Sequence, residues 1–151
     1  MSRLNAVFFL LVFFTSTASG QKNYVEADGI IEYHNRIPLQ GATLILFDGD
    51  RKVKTLKTDP EGHYNFILEY NKEYILEISK NNLVTKRVKY NTVMPPKAKG
   101  GWWVGIPINL YEVCPGIDAS VFEEPVAVIR YDKGKREFEA DPKYDNRMRS
   151  R

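Results

Sequence analysis

Within the predicted strand region 37–78, residues 63–78 alternate between apolar and polar side chains, and this period of two constrains the fold more than any other feature of the sequence. Tyr64, Phe66 and Leu68 fall on one face of an extended segment, while the residues between them fall on the other. Such alternation is typical of an antiparallel sheet that buries one face and leaves the other in water. We therefore predict strands here.

Two turn motifs separate the predicted strands. Asp48-Gly49-Asp50 follows residues 44–47, which are apolar on both faces of an extended chain and predict a strand covered on both sides. In Asp59-Pro60-Glu61-Gly62, proline fixes one dihedral angle and glycine accepts a left-handed one. Between the two turns we predict a polar connection.

This segment resembles the carboxypeptidase-regulatory-like domain, a transthyretin-like sandwich. The resemblance spans residues 28–92 and lies in the motifs Pro38-x-x-Gly41-Ala42-x-Leu44, Thr58-Asp59-x-x-Gly62-x-Tyr64-x-Phe66 and Tyr74-x-Leu76-x-Ile78-x-Lys80. It implies an all-β fold, a single antiparallel β-sandwich of about seven strands. It also implies a non-catalytic accessory module of exported or envelope proteins, often in Gram-negative bacteria.

Four more segments are predicted to be strands: residues 29–33, 84–90, 104–110 and 126–131. Pro107 lies inside the third of them, which favours a free edge or a bulge at that point. Together these strands place one sandwich domain in residues 21–140. Residues 141–151 form a polar, arginine-rich tail, for which a short helix and a frayed end are both open.

Residues 1–20 have the three parts of a secretory signal peptide. Arg3 gives a positive start, residues 6–14 are apolar, and Ala18-Ser19-Gly20 has the small side chains that a signal peptidase requires. We predict cleavage before Gln21 and an exported protein that is periplasmic, associated with the outer membrane or secreted. The alternative is an uncleaved anchor, although the apolar run is shorter than the roughly 20 residues of a membrane span. The mature chain is predicted to have no transmembrane segment.

Composition excludes some classes of partner and of covalent link. Lys and Arg number 22 against 19 Asp and Glu, and the two signs are interspersed, so no nucleic-acid partner is predicted. Cys114 is the only cysteine, so no disulfide can form within the chain. A domain of this length needs none, and we expect Cys114 to be buried as a small apolar residue.

No catalytic or metal-binding pattern is found in the sequence. Transthyretin-like hydroxyisourate hydrolases end in a Tyr-Arg-Gly-Ser type motif that this chain lacks. Intradiol dioxygenases bind iron through two tyrosines and two histidines, whereas His34 and His63 stand outside any such cluster. Asp48 and Asp50 lack the spacing of a calcium-binding loop and are better explained as turn residues. We predict no enzymatic activity, no cofactor and no metal.

The candidate binding residues are Trp102, Trp103, Lys97 and Lys99. They belong to a loop with Pro95-Pro96 and Gly100-Gly101 and to the strand that follows it. Because neighbours in a strand point to opposite faces, we predict that Trp102 is the more buried of the two and that Trp103 is the better candidate for contact with a partner. The predicted function is contact with other proteins of a Gram-negative cell envelope. The alternative is glycan binding through the Trp102 and Trp103 loop, since exposed aromatic rings stack on sugars.

Overall fold

The computed structural model describes residues 23–34, 36–116 and 122–149, which form two β-sheets packed face to face. The predicted signal peptide and the cleavage site before Gln21 lie outside these residues. The strands are β1 (Tyr24–Tyr33), β2 (Ile37–Pro38), β3 (Thr43–Asp48), β4 (Arg51–Lys57), β5 (His63–Glu69), β6 (Glu73–Ser79), β7 (Lys86–Asn91), β8 (Gly101–Gly105), β9 (Ile108–Leu110), β10 (Ala127–Asp132) and β11 (Glu137–Ala140), and the helix is α1 (Pro142–Arg149). No helix in the described ranges is long and apolar enough to cross a membrane.

The smaller sheet is centred on β1. Strands β5 and β2 pair antiparallel with one edge of β1, and β8 and β9 pair parallel with the other. The larger sheet has the order β11-β10-β7-β6-β3-β4. Its β7 and β10 are also parallel, because the chain passes through β8 and β9 of the other sheet between them. The predicted β-sandwich is confirmed, with more strands than predicted and with three parallel pairings that the alternation did not indicate.

The inward faces of the two sheets form one apolar core. Strand β5 follows the predicted alternation, with Tyr64, Phe66 and Leu68 buried and the residues between them exposed. The large apolar side chains with less than 2% exposure are Val25, Ile31, Leu44, Phe66, Leu68, Leu76, Ile78, Val88, Tyr90, Leu110 and Ile129. They come from β1, β3, β5, β6, β7, β9 and β10, so both sheets contribute to a single core.

The outward face of β3 differs from the prediction. Leu44 and Leu46 are buried, but Ile45 and Phe47 are only half-buried. Glu123 and Pro125 lie beside Phe47 on this side of the larger sheet and cover it only in part. The predicted cover of β3 is therefore complete on its inner face and partial on its outer face.

The Asp59–Gly62 turn is confirmed and explains why glycine is required there. Asp59 Oδ1 accepts hydrogen bonds from the backbone N–H groups of Glu61 at 3.0 Å and His63 at 2.8 Å. Gly62 has a φ of +76°, and a Cβ at this position would lie 2.5 Å from the carbonyl oxygen of Ile31. The turn can approach β1 this closely only without a side chain at position 62.

Two segments differ from their predicted structures. Residues 51–57, predicted to be a polar connection, form the edge strand β4, in which only Leu56 is partly buried. An edge strand with so little burial has no apolar alternation to reveal it. Residues 104–110, predicted to be one strand, are divided between β8 and β9, and Pro107 lies in the break. Proline lacks the N–H that a continuous ladder requires, as its position predicted.

Cys114 is exposed, so its predicted burial was wrong. The chain leaves the smaller sheet after β9 and makes an isolated bridge between Leu83 and Glu112. Residues 113–116 then run along the surface. Val113, Cys114 and Pro115 are apolar residues, but they are exposed and do not belong to the core.

Of the two forms predicted for the tail, the short helix is found, as α1. Asp141 Oδ1 accepts a hydrogen bond from the backbone N–H of Lys143 at 3.0 Å, and Pro142 begins the helix. Asp141 Oδ2 also lies 2.9 Å from Arg130 Nε of β10. The Tyr144 hydroxyl donates to the carbonyl of Pro125 at 2.5 Å. These contacts fix α1 to the end of the larger sheet.

Candidate binding surface

The outward side of β1, β5 and β8 is an open sheet surface that carries two large exposed apolar side chains. Trp103 is 62% exposed and Ile67 is 58% exposed. We call this surface the Trp103 face and define it by Tyr24, Glu26 and Asp28 of β1, Asn65 and Ile67 of β5, and Trp103 and Gly105 of β8.

Strand register places the two apolar side chains in one row. Glu26 pairs with Ile67 on one side and with Trp103 on the other. Adjacent strands are separated by about 4.8 Å, so Ile67 and Trp103 are about 10 Å apart across the sheet. A single partner side chain or a short segment can therefore contact both.

The Trp103 indole lies along its own strand. A Cβ built on Gly105 would lie 2.3 Å from two carbons of the Trp103 ring, so the ring occupies the space that a side chain at position 105 would take. Tyr24 covers Gly101 in the same way, with its ring 2.6 Å from the corresponding Cβ position. Trp103 is thus an exposed aromatic platform whose ring carbons Cζ2 and Cη2 lie against Gly105.

The polar groups around this platform are acidic. Glu26 lies beside Trp103 in the row, and its Oε1 accepts a hydrogen bond from Asn65 Nδ2 at 2.6 Å. Asp28 is the partner of Gly105, and its Oδ1 accepts from the backbone N–H of Gly29 at 2.9 Å. Strands β1, β5 and β8 contain no lysine or arginine. The platform is therefore bordered by carboxylates and an amide.

Trp102 points to the opposite side and packs between the sheets. Its ring packs edge to face with that of Tyr131 of β10, with 5.2 Å between the ring centroids. Tyr131 packs in the same way with Phe138 of β11, with 5.6 Å between the centroids. Trp102 is partly buried, whereas Trp103 is exposed. The predicted order of burial is confirmed, and a binding role for either side chain stays a prediction.

The two candidate lysines lie in the connection that precedes β8. Lys97 and Lys99 are both exposed and make no hydrogen bond or ion pair with other described residues. The end of this connection is fixed, because the Gly100 carbonyl accepts from the Tyr70 hydroxyl at 2.8 Å and its N–H donates to Asn23 at 3.0 Å. Neither lysine belongs to the strands of the Trp103 face.

Sequence reasoning missed Ile67, Glu26 and Gly105. Ile67 had a visible signal, since it is an apolar residue at a position where β5 is otherwise polar. Glu26 and Gly105 had none, because their proximity to Trp103 depends on the parallel pairing of β1 with β8. Within the described ranges, no group of three or more His, Cys, Asp or Glu side chains is placed to hold a metal ion.

No protein-family model and no curated protein sequence matches this chain. Among solved structures, it is similar to the 3-chlorocatechol 1,2-dioxygenase of Rhodococcus opacus 1CP (TM-score 0.45, 8% identity, 64% of this chain and 62% of that one). It is also similar to a minor pilin of Streptococcus agalactiae (TM-score 0.43, 16% identity, 65% and 49%). A third similar structure is the 5-hydroxyisourate hydrolase of Klebsiella pneumoniae (TM-score 0.41, 12% identity, 61% and 99%). The chain thus spans less than two thirds of the dioxygenase and of the pilin.

Proposed function

We propose that this chain is a non-catalytic, exported binding module that acts by protein–protein contact in a Gram-negative cell envelope. The observation that carries the proposal is Trp103, a large aromatic ring that is 62% exposed on an open sheet face. Tryptophan contributes more than most residues to the binding energy of protein interfaces. Ile67, across Glu26 from the ring, is a second exposed apolar side chain on the same face.

The chemistry of the Trp103 face favours a partner that is basic as well as apolar. The indole ring attracts a guanidinium or ammonium group through its π system. Glu26 and Asp28, on the strand beside the ring, supply carboxylates that bind such a group by charge-assisted hydrogen bonds. Ile67 adds an apolar contact on the far side of Glu26. A partner segment with an arginine or lysine next to apolar side chains fits this surface.

Two sequence features support the rest of the proposal. The amino-terminal residues have the composition of a signal peptide, which supports export. The resemblance of residues 28–92 to the carboxypeptidase-regulatory-like domain supports an accessory role in the envelope rather than catalysis. The open Trp103 face supplies a surface for that role.

The proposal is tested by placing a photo-crosslinking amino acid at position 103 or 67 in the exporting cell. Both positions are expected to give the same partner adduct. A matched control places the crosslinker at Val53, which is 48% exposed on the edge strand of the other sheet. Identical adducts from all three positions would contradict a specific Trp103 face.

Binding of the identified partner is then measured with purified proteins. Trp103→Ala is expected to weaken binding by about 2 kcal/mol or more, which is about thirtyfold. Gly105→Ala keeps the indole, but the new methyl group occupies the space in which the ring lies and displaces it. We expect this variant to lose binding free energy of similar size. Unchanged affinity in both variants would exclude this face as the contact.

The exposed indole ring of Trp103, which lies against Gly105, also favours a second candidate function, glycan binding. A pyranose ring can stack on the indole while Glu26 and Asn65 bind its hydroxyl groups. Affinity electrophoresis in neutral polysaccharides separates the two functions. Retardation that is lost in Trp103→Ala and that does not change with salt would support the glycan, whereas binding of a basic partner should weaken with salt.

A further inference from the structure

A polar cleft lies at one end of the larger sheet, on the opposite side of the molecule's core from the Trp103 face. Register places Thr43 of β3 between Lys57 of β4 and Ser79 of β6. Lys80, Asn81 and Thr85 complete a cleft of about 450 Å³. Three hydroxyl groups, one amide and two ammonium groups therefore converge on one concave surface.

The hydroxyl groups of this cleft have no protein partners among the described residues. Thr43, Ser79 and Thr85 are each half-buried, and their side chains make no hydrogen bond to the described part of the chain. Lys57 is exposed and likewise makes no ion pair there. These donors are available to a ligand.

Lys80 is held in position by the backbone. Its Nζ donates a hydrogen bond to the carbonyl oxygen of Gln40 at 2.8 Å, and it lies 3.1 Å from where a Cβ of Gly41 would be. An ammonium group has three N–H donors, so two remain for a ligand. The missing side chain at position 41 leaves the backbone open beside them.

The electrostatic balance of the cleft is positive. Among the described residues, no carboxylate lines it. Glu77, two residues before Ser79 on the same face of β6, is paired with Arg87 at 2.8 Å. Lys57 and Lys80 are therefore not neutralised by an acidic side chain within the cleft, which favours an anion.

We propose that this cleft binds a phosphate or sulfate group, either as the free ion or as an ester on a small molecule such as a sugar. A tetrahedral oxyanion presents four oxygen acceptors, which match the hydroxyl, amide and ammonium donors around it. The cleft is large enough for a small ligand to accompany that group. The site lies on the other sheet, so it is independent of the function proposed for the Trp103 face.

The proposal is tested by NMR titration of the labelled protein with inorganic phosphate, inorganic sulfate, glucose 6-phosphate and glucose. Sodium chloride holds the ionic strength constant in every titration. Saturable shifts of the amides of Thr43, Ser79 and Lys80 are expected with at least one oxyanion and are not expected with glucose. Tighter binding of the ester would identify a phosphorylated small molecule as the ligand, and equal affinity would identify the free ion.

Two variants distinguish specific binding of the oxyanion in the cleft from nonspecific attraction of anions to the basic edge strand β4. Lys57→Gln is expected to weaken binding about tenfold through loss of a charge-assisted contact. Lys52→Gln removes the same charge from the same strand outside the cleft and should bind as the wild type does. Thermal unfolding confirms that both variants are folded. Equal losses in the two variants, or shifts that do not saturate with any oxyanion, would overturn the proposal.

Discussion

Trp102 and Trp103 are adjacent in the sequence and have opposite environments. The difference follows from the alternation of β8, in which Val104 is buried with Trp102 on the inner side. Trp102 belongs to an aromatic cluster with Tyr131, whereas Trp103 lies over Gly105 on the outer side. The two side chains should therefore affect different properties of the protein.

We expect Trp102→Ala to lower the free energy of unfolding by about 3 kcal/mol, because it removes a large ring from the packing between the sheets. Trp103→Ala should change it by less than about 1 kcal/mol, since the lost ring is largely in water. Chemical unfolding of both variants checks this difference. A larger loss for Trp103→Ala would mean that the strand register is wrong.

Gly62 and Gly49 offer a matched pair for backbone strain. Both have positive φ, +76° and +60°, but a Cβ at Gly62 meets the Ile31 carbonyl while one at Gly49 meets nothing within 4 Å. Gly49→Ala should cost about 1 kcal/mol through its dihedral angle alone. Gly62→Ala should cost at least about 1 kcal/mol more, because backbone must move as well. Equal unfolding midpoints for the two variants would show that the contact with Ile31 is not restrictive.

At the scale of elements, the sequence predicted those strands that bury one face and failed for those that do not. The alternation of Tyr64, Phe66 and Leu68 is a direct record of burial, so β5 was predicted within its bounds. Strand β4 is defined by its backbone pairing with β3. Backbone pairing imposes no pattern on the side chains of an exposed edge strand, so the sequence did not predict it. The binding surface was predicted in part for the same reason: Trp103 is visible in the sequence, but its neighbour Glu26 is brought there by a pairing between distant segments.

Asp141 connects α1 to β10, and its removal should release the helix. The Arg130 guanidinium, together with backbone N–H groups of α1, holds the pKa of the Asp141 carboxyl below its ordinary value. A depressed pKa contributes stability that is present above the ordinary value of 3.8 and is lost as the pH falls through the folded-state pKa. Asp141→Ala removes the cap of α1 and should lower the free energy of unfolding by about 1 kcal/mol. The contribution that is lost in acid should disappear with it.

Amide hydrogen exchange of residues 143–149 measures that release. We expect lower protection factors, corrected for the intrinsic exchange rate at each pH, in Asp141→Ala at neutral pH, and in the wild type only under acid conditions. Asp145→Ala removes a carboxylate within α1 and serves as the control. Protection that persists in Asp141→Ala would mean that the contact between Tyr144 and Pro125 is sufficient to hold the helix.

At the scale of the whole molecule, two buried phenols connect the sheets and limit stability in alkali. The hydroxyl groups of Tyr64 and Tyr90 are 3.4 Å apart in the core. Burial raises the pKa of Tyr64 to about 12 and raises that of Tyr90 well above its ordinary value. A raised pKa contributes stability that is complete below pH 10.0, the unfolded value, and is lost as the pH rises through the folded-state pKa.

The free energy of unfolding should therefore fall as the pH rises above 10.0. Tyr64→Phe should make this fall less steep, because position 64 then has no phenol to ionise. Tyr111→Phe is the control, since Tyr111 is 42% exposed. Urea unfolding on both sides of pH 10.0 gives the slopes. Equal slopes for wild type and Tyr64→Phe would contradict the assignment of the alkaline loss to this pair.

The parallel pairing of β1 with β8 and β9 has a consequence for how the chain reaches its fold. The hydrogen bond between Asn23 and Gly100 at the start of this pairing joins residues 77 positions apart. Native contacts of such long sequence separation slow folding, because a large loop must close before they form. When the chain is synthesised from its amino terminus, β1 emerges long before its parallel neighbours and keeps an unpaired edge until they arrive. During that interval the unpaired backbone groups of this edge can pair with another chain.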